Sequence, residues 1–203
     1  MMNTVVFDLG NVLVDYNGGV CVDMLGYTGE VKKELIHAIF LSDAWKAGDE
    51  GSVTPEEQLT QFINNAPHLE KEIRDVYEHL DGSIRKFDYT EEVLAHFRKA
   101  GFKLYYLSNY GEYLFEKTKY ELDFLRKFDG GIISYREKLM KPQKEIYNLL
   151  MTRYNIKPND AWFIDDRPEN VEAANAVGMH GIVFDSHTVE EILTGKYTGG
   201  QER

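Results

Sequence analysis

Cysteine is nearly missing from this chain of 203 residues: Cys21 stands alone, so no internal disulfide can form, and a reducing compartment is the simple expectation. No apolar run approaches the ~20 residues that cross a bilayer. The first eight residues carry neither a basic region nor a long apolar stretch, so no secretory signal is expected there. No run of Lys or Arg stands out, and 34 acidic residues against 23 basic ones leave a formal net charge of −11. Such a surface repels nucleic acid and anionic membranes, which makes neither an expected partner. The six histidines are dispersed and none has zinc-ligand spacing. Repeats and low-complexity segments are absent as well. A soluble cytoplasmic protein is the expectation, and the 43% hydrophobic and 28% charged fractions suit a globular core of ordinary size.

What is present is an alternation of short apolar strands and amphipathic helices. Val5-Val6-Phe7, residues 103–107 (KLYYL), 131–134 (GIIS), 161–164 (AWFI) and 181–184 (GIVF) read as strands. Residues 91–100 read as a helix with Thr90 as N-cap and Gly101 just past its end. Residues 142–154 and 168–177 read as helices with proline in the first turn. This pattern predicts an α/β fold, a doubly wound parallel sheet of Rossmann-like type. From residue 16 to 87 the alternation stops. Three helices are predicted there (31–40, 55–64 and 68–80), with loops at 48–52 and 64–67 and no strand. The chain therefore divides into a discontinuous core, 1–15 plus 88–203, and a helical cap, 16–87. The segment 197–203 reads as a loose tail.

In open parallel sheets, ligands bind beyond the carboxyl ends of the strands, so the residues that follow each strand carry the functional signal. Asp8 follows the first, with Gly10 and Asn11 allowing a tight turn whose N–H groups can face an anion. A nucleophilic, metal-ligating carboxylate and a plain strand-ending turn both fit. Ser108 and Asn109 follow the second strand and can donate to phosphate oxygens, or cap the next helix. Lys141 precedes a helix N-terminus, a doubly positive point for an anion, although most lysines are simply solvated. Asp165 and Asp166 end a later apolar strand. Adjacent carboxylates there call for a compensating cation, and Mg²⁺ is the hard cation such oxygens favour; the bland alternative is an exposed Asp165 beside a helix-capping Asp166. Tyr105, Tyr106, Tyr110 and Tyr113 read as core and rim residues.

Taken in order, VVFDLGNVLVD, YYLSNYG, MKPQKEIY and WFIDDRPENVEAANAVGM resemble the four motifs of the haloacid dehalogenase-like hydrolase superfamily. The form is most similar to its sugar-phosphate phosphatases of the alpha-D-glucose-1-phosphatase type, whose helical cap also enters after the first motif. The resemblance implies a hydrolase acting on a small phosphomonoester. Asp8 would be the nucleophile and a Mg²⁺ ligand, and the Gly10 carbonyl a second ligand. Asp166 would coordinate directly and Asp165 through an ordered water. Ser108, Asn109 and Lys141 would hold the phosphoryl oxygens, with Asn11 beside them.

One departure matters. Phosphatases of this superfamily usually carry a second Asp two residues after the nucleophile, as general acid and base, and here that residue is Gly10. Asp15, or Asp49 or Glu50 of the insert, are candidates to replace it. Two rival readings follow: a regulatory binder of phosphate esters that has lost turnover, and a 2-haloacid dehalogenase. The latter family needs no metal, has an aromatic residue where Gly10 stands, and lacks adjacent acids after the later strand.

Overall fold

The computed structural model describes residues 2–198. In chain order its elements are β1 (Thr4–Phe7), β2 (Val14–Tyr16), α1 (Gly18–Met24), α2 (Gly29–Ala38), α3 (Asp43–Glu50), α4 (Pro55–Asn65), α5 (Glu70–Glu78), β3 (Ile84–Lys86), α6 (Thr90–Lys99), β4 (Lys103–Ser108), α7 (Glu112–Lys117), β5 (Gly130–Ile133), α8 (Ser134–Glu137), α9 (Lys144–Tyr154), β6 (Ala161–Asp165), α10 (Pro168–Ala176), β7 (His180–Val183) and α11 (Thr188–Leu193). Short 3₁₀ turns join several of them. None of the described helices is long and apolar enough to cross a membrane.

Five strands form one parallel sheet in the order β5-β4-β1-β6-β7. Alternation of side chains along each strand feeds two cores, one per face. Val5 and Phe7 join the larger cluster, while Val6, with Leu107 and Phe163, joins the smaller one. All five predicted strands are present, shifted by at most one residue at their ends. β1 lies at the centre between β4 and β6, so three strand ends open side by side at one mouth of the sheet.

The segment predicted to lack strands holds β3 and the last residue of β2; the two strands pair antiparallel, Val14 facing Lys86 and Tyr16 facing Ile84. Three residues per strand are too few to leave a periodic signal. This ribbon closes the insertion, and α1–α5 lie between its strands. The larger core runs without a break from Phe7 and Leu104 of the sheet into Leu35, Phe62 and Ile73 of the insert, so apolar packing shows no seam at residues 15 and 88.

Two helices of the insert were not expected, α1 and α3. α3 takes in residues 48–50, predicted as loop. Ser42 caps its start through Trp45 N–H, and Gly51 ends it in the left-handed region at φ 73°. A Cβ on Gly51 would lie 2.2 Å from the Tyr135 carbonyl oxygen, so glycine is needed both for the turn and for close approach to α8. α4 begins on a capping box, Thr54 with Glu57, and Pro55 at its first position.

Other local details correct the sequence reading. Thr90 is not an N-cap; it is the first residue of α6 and its buried hydroxyl donates to Leu13 O at 2.6 Å, tying α6 to the turn after β1. α9 starts at Lys144 with Gln143 as N-cap, leaving Pro142 outside its first turn. Residues 197 and 198 are not loose: Trp162 Nε1 donates to Tyr197 O, and Tyr197 Oη donates to Glu191. Residues 199–203 lie outside the described chain. Cys21 is buried, its thiol donates to His79 O, and burial pushes its pKa up to about 11, so it is no reactive nucleophile at neutral pH.

Candidate active site

Asp8 is the first residue past β1. Strand register places it beside Leu107 of β4 and Asp165 of β6, one step beyond the pairs Phe7–Tyr106 and Phe7–Ile164. Its backbone N–H donates to Ile164 O at 2.9 Å, which holds it at the strand tip. Its Oδ1 accepts from Leu9 N–H at 2.7 Å and pairs with Lys141 Nζ at 2.8 Å. Oδ2 takes no hydrogen bond from any described residue.

Lys141 is almost fully buried and reaches a second carboxylate, Asp165 Oδ2, at 2.6 Å. A buried ammonium is costly unless paired. Here burial alone would lower its pKa, and the charges of Asp8 and Asp165 outweigh that and raise it. For Asp8 burial dominates: the carboxyl is pushed up to about 6, with Lys141 pulling it down and Asp165 pushing it further up.

Asp165, fully buried, is fully engaged. It accepts from Lys141 Nζ, from Arg167 N–H at 2.9 Å, and from Asn170 Nδ2 at 3.0 and 3.1 Å. Neither bland reading of the acidic pair holds, because Asp165 is not exposed and α10 takes no side-chain cap from Asp166. Asp166 is partly buried and accepts one bond, from Asn11 Nδ2 at 3.1 Å. Burial, and secondarily Asp165, raises its pKa.

One ligand oxygen from each of Asp8, Asp165 and Asp166 falls within 4.8 Å of the others. Three carboxylates against one buried ammonium leave the mouth of the sheet short of positive charge, and an all-oxygen donor set suits a hard divalent cation. Asp165, with its lone pairs spent, is better placed to order a water than to ligate. Asp8, Asp166 and the Gly10 carbonyl, which accepts no bond among the described residues, are the better donors. The residues fit the expected Mg²⁺.

Two expectations change. The Asn109 side chain does not point free toward an anion: its Nδ2 donates to Lys141 O at 3.0 Å and its Oδ1 accepts from Lys141 N–H at 2.8 Å. It clasps the Lys141 backbone and caps no helix. Asn11, at φ 55°, a conformation its residue type tolerates, spends its amide on Asp166 and on Tyr16 N–H at 3.3 Å, and its own N–H on Val14 O at 2.7 Å. It positions Asp166 and the start of the ribbon, and its backbone is not aimed at an anion. Ser108, at the tip of β4, is buried, and its hydroxyl bonds to no described residue.

Sequence reasoning missed Asn170. Its place five residues after Asp165, in the first turn of α10, was the available signal. Asn109→Ala is expected to cost about 1–3 kcal/mol of stability, the range for orphaned buried hydrogen-bonding groups, and to lower kcat about tenfold or more as Lys141 loses its fixed place. Denaturant unfolding and steady-state kinetics check both.

A family model described as haloacid dehalogenase-like hydrolase matches residues 2–178. The chain belongs to the haloacid dehalogenase-like hydrolase family. Within it, the chain is similar to the sesquiterpene phosphatase of Aspergillus oryzae, at 27% identity over 93% of this chain and 91% of that one. It spans only 18%, 35% and 57% of three other curated relatives. Among solved haloacid dehalogenase-like structures, it resembles an enzyme of Bacteroides thetaiotaomicron in complex with magnesium and inorganic phosphate, at TM-score 0.74 and 18% identity, covering 92% of this chain and 96% of that one. It also resembles the L-2-haloacid dehalogenase of Xanthobacter autotrophicus, at TM-score 0.66 and 16% identity, covering 98% and 84%. Likeness at these identities speaks to the fold.

Proposed function

We propose that the protein is a Mg²⁺-dependent phosphatase that hydrolyses a small phosphomonoester, a sugar phosphate being the favoured class, through an aspartyl-phosphate on Asp8. The observation that carries this reading is the convergence of Asp8, Asp165 and Asp166 around buried Lys141 at the mouth of a parallel sheet. The helical insert at 16–87 acts as the cap that selects the substrate. The similarity to a fungal phosphatase along nearly the whole of both chains supports the same chemistry.

Asp8, Asp166 and the Gly10 carbonyl would hold the metal, with Asp165 ordering a water beside it. When bound, Mg²⁺ supplies positive charge against the phosphate oxygens. Asp8 is fixed by Leu9 N–H and Lys141, so one carboxylate oxygen stays in place while the other attacks phosphorus. Lys141 offsets the charge of an anion attacking an anion, and Ser108 donates to a phosphoryl oxygen. Positioning and electrostatics of this kind supply most of the catalysis in phosphoryl transfer. The mixed anhydride on Asp8 has a good leaving group, so water completes the turnover.

Hydrolysis of 4-nitrophenyl phosphate and a panel of sugar phosphates is expected with Mg²⁺ and is lost on adding EDTA. Activity indifferent to both EDTA and Asp8→Asn would remove the proposal. Chloride release from 2-chloropropionate instead would establish the dehalogenase reading, which the adjacent acids and Gly10 disfavour.

A further inference from the structure

Gly10 leaves the site without the usual side chain for proton transfer, and nothing steric explains it. A Cβ there would meet only the Tyr16 Cβ, at 3.9 Å, an ordinary contact. We propose that Asp49, on the last turn of α3 in the insert, gives the leaving oxygen its proton and then takes one from the attacking water. The inference rests on the phosphatase reading of the Asp8 site.

Three observations place Asp49 at the same mouth. Its Oδ1 lies 3.5 Å from where a Cβ of Gly111 would stand, over the loop that leaves β4 three residues after Ser108. Its carbonyl accepts from Ser134 Oγ, and that hydroxyl accepts from Tyr110 N–H at 2.9 Å, so one buried serine pins the turn of α3 to the loop after β4 and to the start of α8. The groups that act on its carboxyl include Asp8, Lys141 and Arg167, which come from three separate stretches of the site. Tyr16 and Tyr110 also lie close enough to interact with it. The other two candidates fail on place: Asp15 is exposed on the ribbon, and no interaction ties either Asp15 or Glu50 to Asp8, Lys141 or Asp166. Burial pushes Asp49 up to about 7, against the Gly111 amide, which pulls it down, and with Asp8 adding to the rise. A carboxyl half protonated near neutrality can work in both directions.

Asp8 Oδ bonds to phosphorus as the ester P–O bond breaks. The electron pair of that bond goes to the ester oxygen, which takes the Asp49 proton and leaves as alcohol. Water then attacks the phosphorus of the aspartyl-phosphate and gives a proton to the Asp49 carboxylate. The P–O bond to Asp8 breaks, and free Asp8, inorganic phosphate and protonated Asp49 remain.

The test compares Asp49→Asn with the wild type on 4-nitrophenyl phosphate, whose leaving group needs little protonation, and on benzyl phosphate, whose alkoxide needs it. With the Mg²⁺-loaded enzyme, the variant is expected to lose ~10²–10⁴-fold in kcat on benzyl phosphate. On 4-nitrophenyl phosphate it keeps a first, stoichiometric burst of nitrophenol within about tenfold of the wild-type rate, followed by slow turnover. Equal losses on both esters without a burst, or no loss on benzyl phosphate, overturn the proposal. Should the variant fail to fold, the wild type decides: its benzyl-to-nitrophenyl kcat ratio falls as pH rises through about 7, whereas a level ratio overturns the assignment. A wild type inactive on both esters, or an active Asp8→Asn, would sink the phosphatase reading itself.

Discussion

Asp8→Asn is expected to lower kcat for any phosphomonoester substrate on the order of 10⁴-fold or more, the scale seen when a covalent nucleophile is removed, while leaving the fold intact. Asparagine matches the aspartate in shape, and Lys141 keeps its second partner, Asp165, at 2.6 Å. The variant also carries a stability signature. Asp8 has a folded pKa of about 6 against an ordinary 3.8, so the folded state binds its proton more tightly than the unfolded state does. That contribution is complete below pH 3.8 and is lost as pH rises toward 6. In metal-free buffer the wild type therefore loses stability across this window, and Asp8→Asn loses less. Urea unfolding at pH 4 and pH 7 with EDTA measures the difference. Equal slopes would mean that burial does not raise the Asp8 carboxyl.

Lys141→Met should have the largest effect on stability. Methionine fills similar volume but leaves Asp8 and Asp165 buried without their shared cation. Breaking a buried ion pair from one side costs roughly 3–5 kcal/mol. The loss is greatest at neutral pH and above, and shrinks as pH falls and Asp8 takes up a proton. Because Lys141 is the group proposed to offset charge at the phosphoryl oxygens, catalysis is expected to fall with it. A variant of near wild-type stability at pH 7.5 would show that the ammonium offsets no buried charge there.

The sheet and the three strand-tip motifs were legible in the sequence for a physical reason. Strands buried on both faces must be apolar, so an acid at the end of Val5-Val6-Phe7 or of Trp162-Phe163-Ile164 stands out. The roles of the asparagines were not legible. A side-chain amide can donate to a phosphate or clasp a backbone, and only the fold shows that Lys141 N–H and C=O lie against Asn109. The start of α9 was misplaced for the same reason: with its backbone held by Asn109, Lys141 extends toward the acids, and helical structure begins three residues later. Asp49 stood among three candidates in the sequence, but the helix that carries it was hidden by composition. Gly48-Asp49-Glu50-Gly51-Ser52 has the make-up of a loop, yet Ser42 and Gly51 bracket a helix there, whose last turn reaches the site.

The most direct test of the central claim is rapid-quench mass spectrometry of the Mg²⁺-loaded enzyme mixed with 4-nitrophenyl phosphate. A transient phosphoryl adduct on the peptide containing Asp8, and none in Asp8→Asn or with EDTA, is the predicted result. Steady hydrolysis with the Asp8 peptide unmodified at every time point, or an adduct on another residue, would contradict it.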